Sequence, residues 1–174
     1  TSGEIRGYGL NFVADPANVL DQSATRRITK KRGVHDRLEG KTMKTNIGLL
    51  LTKRAHLNPE REAYVESDGS RRFTFKELND RSNRLANGLL ASGLQKGDRV
   101  GLLLMNSVEF MESFFAIAKA GGVVVPLNWR LVADELEFIL KDSGVQTLIF
   151  DNAFAETVAD LEGRGDKTEI NHWL

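Results

Sequence analysis

From Thr45 onward the apolar positions fall into short continuous blocks alternating with helical stripes, whereas residues 1–44 show little of either periodicity. The densest block runs from Asp98 to Asn128. Arg99–Met105 is a nearly unbroken apolar run, the pattern of a parallel strand buried on both faces. Asn106 is placed to cap a helix, with Glu109 three residues on to bond back to it. Met111, Phe114, Phe115 and Ala118 then recur at i, i+3, i+4 and i+7, and Phe110 and Ile117 widen the stripe. Gly121 and Gly122 stop this helix, because glycine reaches the left-handed conformation that helix exits often need. Val123–Leu127 is a β-branched second strand in which Pro126, having no N–H, marks an end or an edge. The length suits one right-handed βαβ crossover.

The flanks extend the alternation. Ile47, Leu50, Leu51 and Ala55 predict an amphipathic helix ended by Asn58-Pro59. Ala63–Glu66 and Arg71–Phe73 predict a hairpin closed at Asp68-Gly69. Thr74 and Glu77 form a capping box with Phe73 and Leu78 as its staple. Leu78, Ser82, Leu85, Ala86 and Leu89 give the helix that follows one buried face, and Ser92-Gly93 closes it with Leu94 against Leu89. After the loop Asn128-Trp129-Arg130 comes a helix with Leu136, Ile139 and Leu140, stopped by Gly144. Gln146–Phe150 is a third parallel strand. Asp151 or Asn152 caps a last helix with Phe154, Val158 and Leu161, and Gly163-Arg164-Gly165-Asp166 is a turn. Helices alternating with buried strands predict an α/β fold: βαβ units of a doubly wound, mainly parallel sheet with an early β-hairpin.

Composition adds a charge split. The 174 residues have no net charge and no cysteine, which excludes disulfides, thiolate metal sites and a cysteine nucleophile, and fits a reducing cytosol. Residues 26–44 carry eight Lys/Arg against Asp36 and Glu39, while the first 25 residues and the body after residue 44 are mildly acidic. Residues 1–44 are therefore predicted to be a basic, flexible extension preceding a domain over 45–174. An arm touching anionic lipid, nucleic acid or a partner is the sharper alternative. No apolar run approaches the roughly 20 residues that span a bilayer. The chain starts at Thr1 rather than Met, which points to a start upstream or to Met43 as a native one.

Candidate chemistry is sparse. His35, His56 and His172 lie far apart in sequence and form no zinc pattern. No phosphate-loop, dinucleotide or nucleophile-elbow motif occurs. Gly163-Arg164-Gly165-Asp166-Lys167 follows a helix rather than a strand, so its amides are not presented to a phosphate, and its Arg-Gly-Asp triplet is a chance match. Glu109 and Glu112 share a helix side that reads as a solvated edge. The carboxyl ends of the strands, Asn106-Ser107 and Asn128-Trp129-Arg130, are the places where such sheets bind ligands. Arg130 is expected in a structural salt bridge with Asp134 or Glu135, with pairing to an anionic ligand as the alternative.

Two stretches go further. Phe73-Thr74-Phe75-Lys76-Glu77-Leu78 resembles the early motif of the acyl-adenylate-forming (AMP-binding) superfamily, and Lys119-Ala120-Gly121-Gly122-Val123-Val124-Val125-Pro126-Leu127 resembles a second. Asn128-Trp129-Arg130-Leu131, with Glu135-Leu136 and Asp142-Ser143-Gly144, is most similar to fatty acyl-CoA synthetases. The likeness covers about residues 45–162.

The resemblance implies an ATP-dependent fatty acid–CoA ligase, in which carboxylate and ATP give acyl-AMP and a thioester with coenzyme A follows. It implies ATP, Mg2+ and coenzyme A for the parent protein and none bound by this segment alone. The family's phosphate loop, metal-binding Thr-Glu, ribose-binding Asp and C-terminal lysine have no matching positions here. No catalytic, cofactor-binding or metal residue is therefore assigned, and the chain is expected to be an inactive, incomplete N-terminal portion. The alternatives are an adenylation domain of another acid–thiol ligase and a freestanding α/β small-molecule-binding module. The expected partner is a fatty acid or other carboxylic acid. Peripheral membrane contact through 26–44 and a homodimer are left open, and nucleic acid is disfavoured because the basic stretch lacks interleaved aromatics. The expected compartment is the cytoplasm, with peripheral membrane association as its variant.

Overall fold

Strand β3, Arg99–Leu103, lies between two parallel neighbours that both come after it in the chain, β4 (Val123–Pro126) and β5 (Thr147–Phe150). A two-residue strand β6, His172–Trp173, adds to β5, so the sheet runs β4-β3-β5-β6 and is parallel throughout. The computed structural model divides the chain into two units, Thr1–Lys44 and Thr45–Leu174, and describes residues 46–174. The basic extension and His35 lie outside the described residues.

Alternation along β3 builds two cores. Val100 and Leu102, with Leu104 just beyond, point into a cluster with Leu89, Leu94 and Ile117. Leu103 points the other way, among Leu127, Leu136, Leu140, Val145, Leu148, Val158 and Leu161. Helices α2 (Phe75–Ala91) and α3 (Val108–Ala120) supply the first cluster, and α4 (Ala133–Ser143) and α5 (Ala155–Gly163) the second. The sheet is thus covered on both faces, which is why its central strand is apolar without a break. Gly101 is required between these layers, since a Cβ there would meet Leu148 Cδ1 at 2.9 Å and Val145 Cγ1 at 3.2 Å.

A third cluster, Leu51, Leu78 and Val108, joins α1 (Gly48–Leu57) and the antiparallel hairpin of β1 (Glu62–Val65) and β2 (Arg72–Thr74) to the outer sides of α2 and α3. The hairpin turns at Gly69, φ +71°. Thr74 Oγ1 accepts from the Glu77 N–H, and the Thr74 N–H donates to Glu77 Oε2 at 2.8 Å, completing the capping box. At the other end of α2 the Leu94 N–H donates to the Leu89 carbonyl at 3.0 Å and Gly93 to Leu90 at 3.1 Å, a Schellman exit with Gly93 at φ +102°.

Four details differ from the sequence expectation. Helix α3 is capped by Ser107, whose Oγ accepts from the Phe110 N–H, one residue after Asn106. Ser107 has the extended backbone a cap needs, and Glu109 turns outward to Arg71 instead. The stripe of α3 splits between two cores, with Phe110, Phe114 and Ile117 in the first cluster and Val108, Met111 and Phe115 in the third; within the first, Ile117 is fully buried while Phe114 is only half-buried. On α1 only Gly48 and Leu51 are buried; Leu50, expected inside, is 53% exposed. The apolar Trp173-Leu174 pair, unassigned from sequence, belongs to β6 and its exit.

Candidate functional site at the strand exits

Strand order sets where a ligand could approach. Helix α3 leaves β3 toward one face, whereas α4 and α5 leave β4 and β5 toward the other, so the chain diverges at the carboxyl ends of adjacent strands. The residues there are Met105-Asn106-Ser107 after β3, Asn128-Trp129-Arg130 after β4 and Asp151–Phe154 after β5.

The loop after β4 is held by its own backbone. Asn128 Oδ1 accepts from the Arg130 N–H at 3.1 Å, and the Asn128 carbonyl accepts from Leu131 at 3.1 Å. This presents the Trp129 ring, with the Arg130 guanidinium 4.9 Å above its centroid. Trp129 also meets Phe154 at 6.4 Å between centroids. Phe154 stands in a 3-10 turn, Asn152–Phe154, where Asp151 Oδ1 accepts from the Ala153 N–H at 2.9 Å. The exits of β4 and β5, the two neighbours of β3, are therefore bridged by an aromatic contact.

Arg130 does not make the expected salt bridge. Asp134 pairs with Arg164 at 2.7 Å, and Glu135 Oε2 accepts from the Val132 N–H at 3.1 Å at the start of α4. Both carboxylates are used, so the Arg130 guanidinium stacks on an aromatic face. Chemically this shelf offers a cation and an amide that bind anions and two rings that stack on planar groups. Asp151, its one carboxylate, is already engaged as a cap, and among the described residues no group of three His, Cys, Asp or Glu side chains could hold a metal ion. His56 and His172 sit on separate elements, α1 and β6.

The ionic clusters lie elsewhere and join elements. Arg71 of the hairpin bonds Glu66 and, at 2.7 Å, Glu109 of α3, holding both carboxyls below their ordinary range. Arg81 of α2 pairs with Glu112 at 2.8 Å. The side of α3 read as a solvated edge is thus an ion-paired seam. Arg164 ties α4 to α5 through Asp134, Glu137 and Asp160, each at 2.7 Å, so this turn holds helices together and its guanidinium is occupied.

One site escaped sequence reasoning. The Lys119 ammonium donates to Asn79 Oδ1 and Asn83 Oδ1, both at 2.6 Å, and the Asn79 oxygen also accepts from Thr52 at 3.2 Å. Gly48 lies so close that a Cβ would come 2.7 Å from Lys119 Cγ. Asn46 completes the corner by donating to the Ala118 carbonyl at 2.7 Å. Burial pushes the Lys119 pKa down to about 8, against the opposing charge of Asp80. Asn79 and Asn83, four apart on α2, were the available signal.

Both motifs behind the resemblance therefore serve the fold. Phe73–Leu78 is the end of β2 with its capping box, and Lys119–Leu127 is the three-helix clasp, the exit of α3 and β4. Gly121 takes φ +88°, and a Cβ on Gly122 would meet Ile117 Cγ2 at 2.9 Å.

A family model for AMP-binding enzymes matches residues 51–173. Long-chain-fatty-acid–CoA ligase FadD13 of Mycobacterium tuberculosis is 44% identical over 130 residues, which are 74% of this chain and 26% of that protein. Feruloyl-CoA synthase of an Amycolatopsis species is 44% identical over 115 residues, 66% of this chain and 23% of that one. The solved N-terminal domain of FACL13 from Mycobacterium tuberculosis superimposes with a TM-score of 0.71 at 41% identity, covering 75% of this chain and 33% of that domain. The chain thus spans about a quarter of the length of the curated relatives it matches.

Proposed function

The chain belongs to the AMP-binding enzyme family, and from that premise we propose that it is the N-terminal part of an ATP-dependent fatty acid–CoA ligase. The observation that carries this reading is the match across residues 51–173, supported by a 44% identical relative named for that activity. In the reaction a carboxylate oxygen attacks the α-phosphorus of ATP, giving acyl-AMP and pyrophosphate. The thiol of coenzyme A then displaces AMP, leaving a thioester.

The role assigned to this segment is scaffold. Its motifs fix helix starts and exits, and the strand-exit shelf has binding groups with no acid–base pair among them. Mg2+ does not fit the described residues, which lack a carboxylate cluster for it. The groups that hold ATP, Mg2+ and coenzyme A belong, on this reading, to the rest of the family's length.

The fatty acid is the finer part of the proposal. Two relatives, equally identical to this segment, are named for a long-chain fatty acid and for a feruloyl group. A homodimer, a cytoplasmic location and peripheral membrane contact complete the reading; among the described residues no helix is long and apolar enough to cross a membrane.

The coding sequence beyond Leu174 tests the proposal. A Ser/Thr/Gly-rich run ending in Pro-Lys-Gly is expected, and a stop codon there would favour a freestanding binding module. The isolated chain should release no acid-dependent pyrophosphate from ATP, while the chain continued through its reading frame should.

A further inference from the structure

Helix α1 has two unlike sides. Gly48 and Leu51 face inward, and Ile47, Leu49, Leu50 and Leu57 are each at least half exposed. At 100° per residue these four share the outer arc with Lys53 and His56, with Arg54 at its edge where its guanidinium lies 5.3 Å from the Phe75 ring centroid, and GLLLTKRAHL contains no acidic residue. Neither Lys53 nor Arg54 has a carboxylate within ion-pair distance among the described residues. In sequence, the eight-cation stretch 26–44 leads directly into this helix.

We infer that the outer face of α1 docks on an anionic lipid surface, its leucines entering the headgroup boundary while its cations meet lipid charge. An interleaved apolar and basic face without acids is the composition of an interfacial helix. Helix α4 supplies the contrast. Phe138 and Val132 are more exposed still, at 70% and 63%, but Asp134, Glu135 and Glu137 stand on the same helix. An anionic surface would repel that side. The inference deepens the membrane contact proposed above, and vesicle binding tests it without ATP, acid or catalysis.

The experiment is co-sedimentation of the full 174-residue chain with phosphatidylcholine vesicles, with and without phosphatidylserine, at low and high salt. Binding should require phosphatidylserine and weaken with salt. The double variant Leu49→Gln/Leu50→Gln should lose affinity on the order of tenfold or more, and Phe138→Gln should bind like the parent. Thermal unfolding of both variants checks that the fold is kept; if the pair unfolds, Leu57→Gln replaces it. Undiminished pelleting of the leucine variants would assign binding to the basic stretch alone and overturn the inference. So would equal binding to neutral vesicles. A dimer in analytical ultracentrifugation that the leucine variants abolish would assign the face to a second copy. Loss of binding when the chain is extended through its reading frame would assign it to the rest of the parent.

Discussion

Lys119 shows how one residue can organise a corner and still cost stability. The charge of Asp80 favours its ammonium, yet burial outweighs it and lowers its pKa from 10.5 to about 8. Between those values the unfolded chain holds the proton more tightly, so stability rises with pH. The contribution is complete above about 10.5 and is lost as pH falls through about 8. Lys119→Met should flatten that rise in denaturant titrations at successive pH values; a parallel profile would show that the amine titrates normally. At Gly101 the constraint is space. Gly101→Ala should destabilise by about 1–3 kcal/mol through overpacking against Leu148 and Val145, read as a shift in urea midpoint at unchanged slope.

Elements were legible where local chemistry decides them. The capping box of α2, its Schellman exit, the Asp-Gly hairpin and the left-handed stops of α3 and α4 rest on side chains within a few residues of one another. Thr74→Ala should therefore cost about 1 kcal/mol. What depends on distant partners was not legible. Arg130 lost its expected carboxylates to Arg164, some 30 residues away, and to a helix start. Strand β6 exists only because β5 offers a free edge, and two residues carry no period. The stripe of α3 looked like one face because periodicity cannot tell that a helix is packed on two sides. The strand-exit positions followed from topology alone, but the Trp129–Phe154 bridge needs the order β4-β3-β5. Truncation separates two depths on the same side of α3, since Ile117 and Phe114 pack in one cluster. Ile117→Ala should cost about 2–5 kcal/mol, and Phe114→Ala should fall below the about 3–5 kcal/mol of a fully buried ring. A Phe114 loss within that range would mean that its ring is effectively buried.

At the scale of the molecule, the three hydrophobic clusters among the described residues draw their buried members from Leu51 onward. Deleting Thr1–Thr42 should leave the unfolding midpoint of the body unchanged, measured by circular dichroism. A fall of several degrees would show that the basic segment contributes to the fold. The placement of β3 also carries a consequence for how the chain is made. β3 leaves the ribosome first, and β4 can join it after a single helix, but the opposite edge is filled only by Thr147–Phe150. At about 5–20 residues per second, that edge waits for seconds, flanked by apolar side chains meant for α4 and α5. A nascent chain stalled just before Thr147 would therefore present a sticky half-sheet, the form in which chaperone capture or misassembly competes with folding.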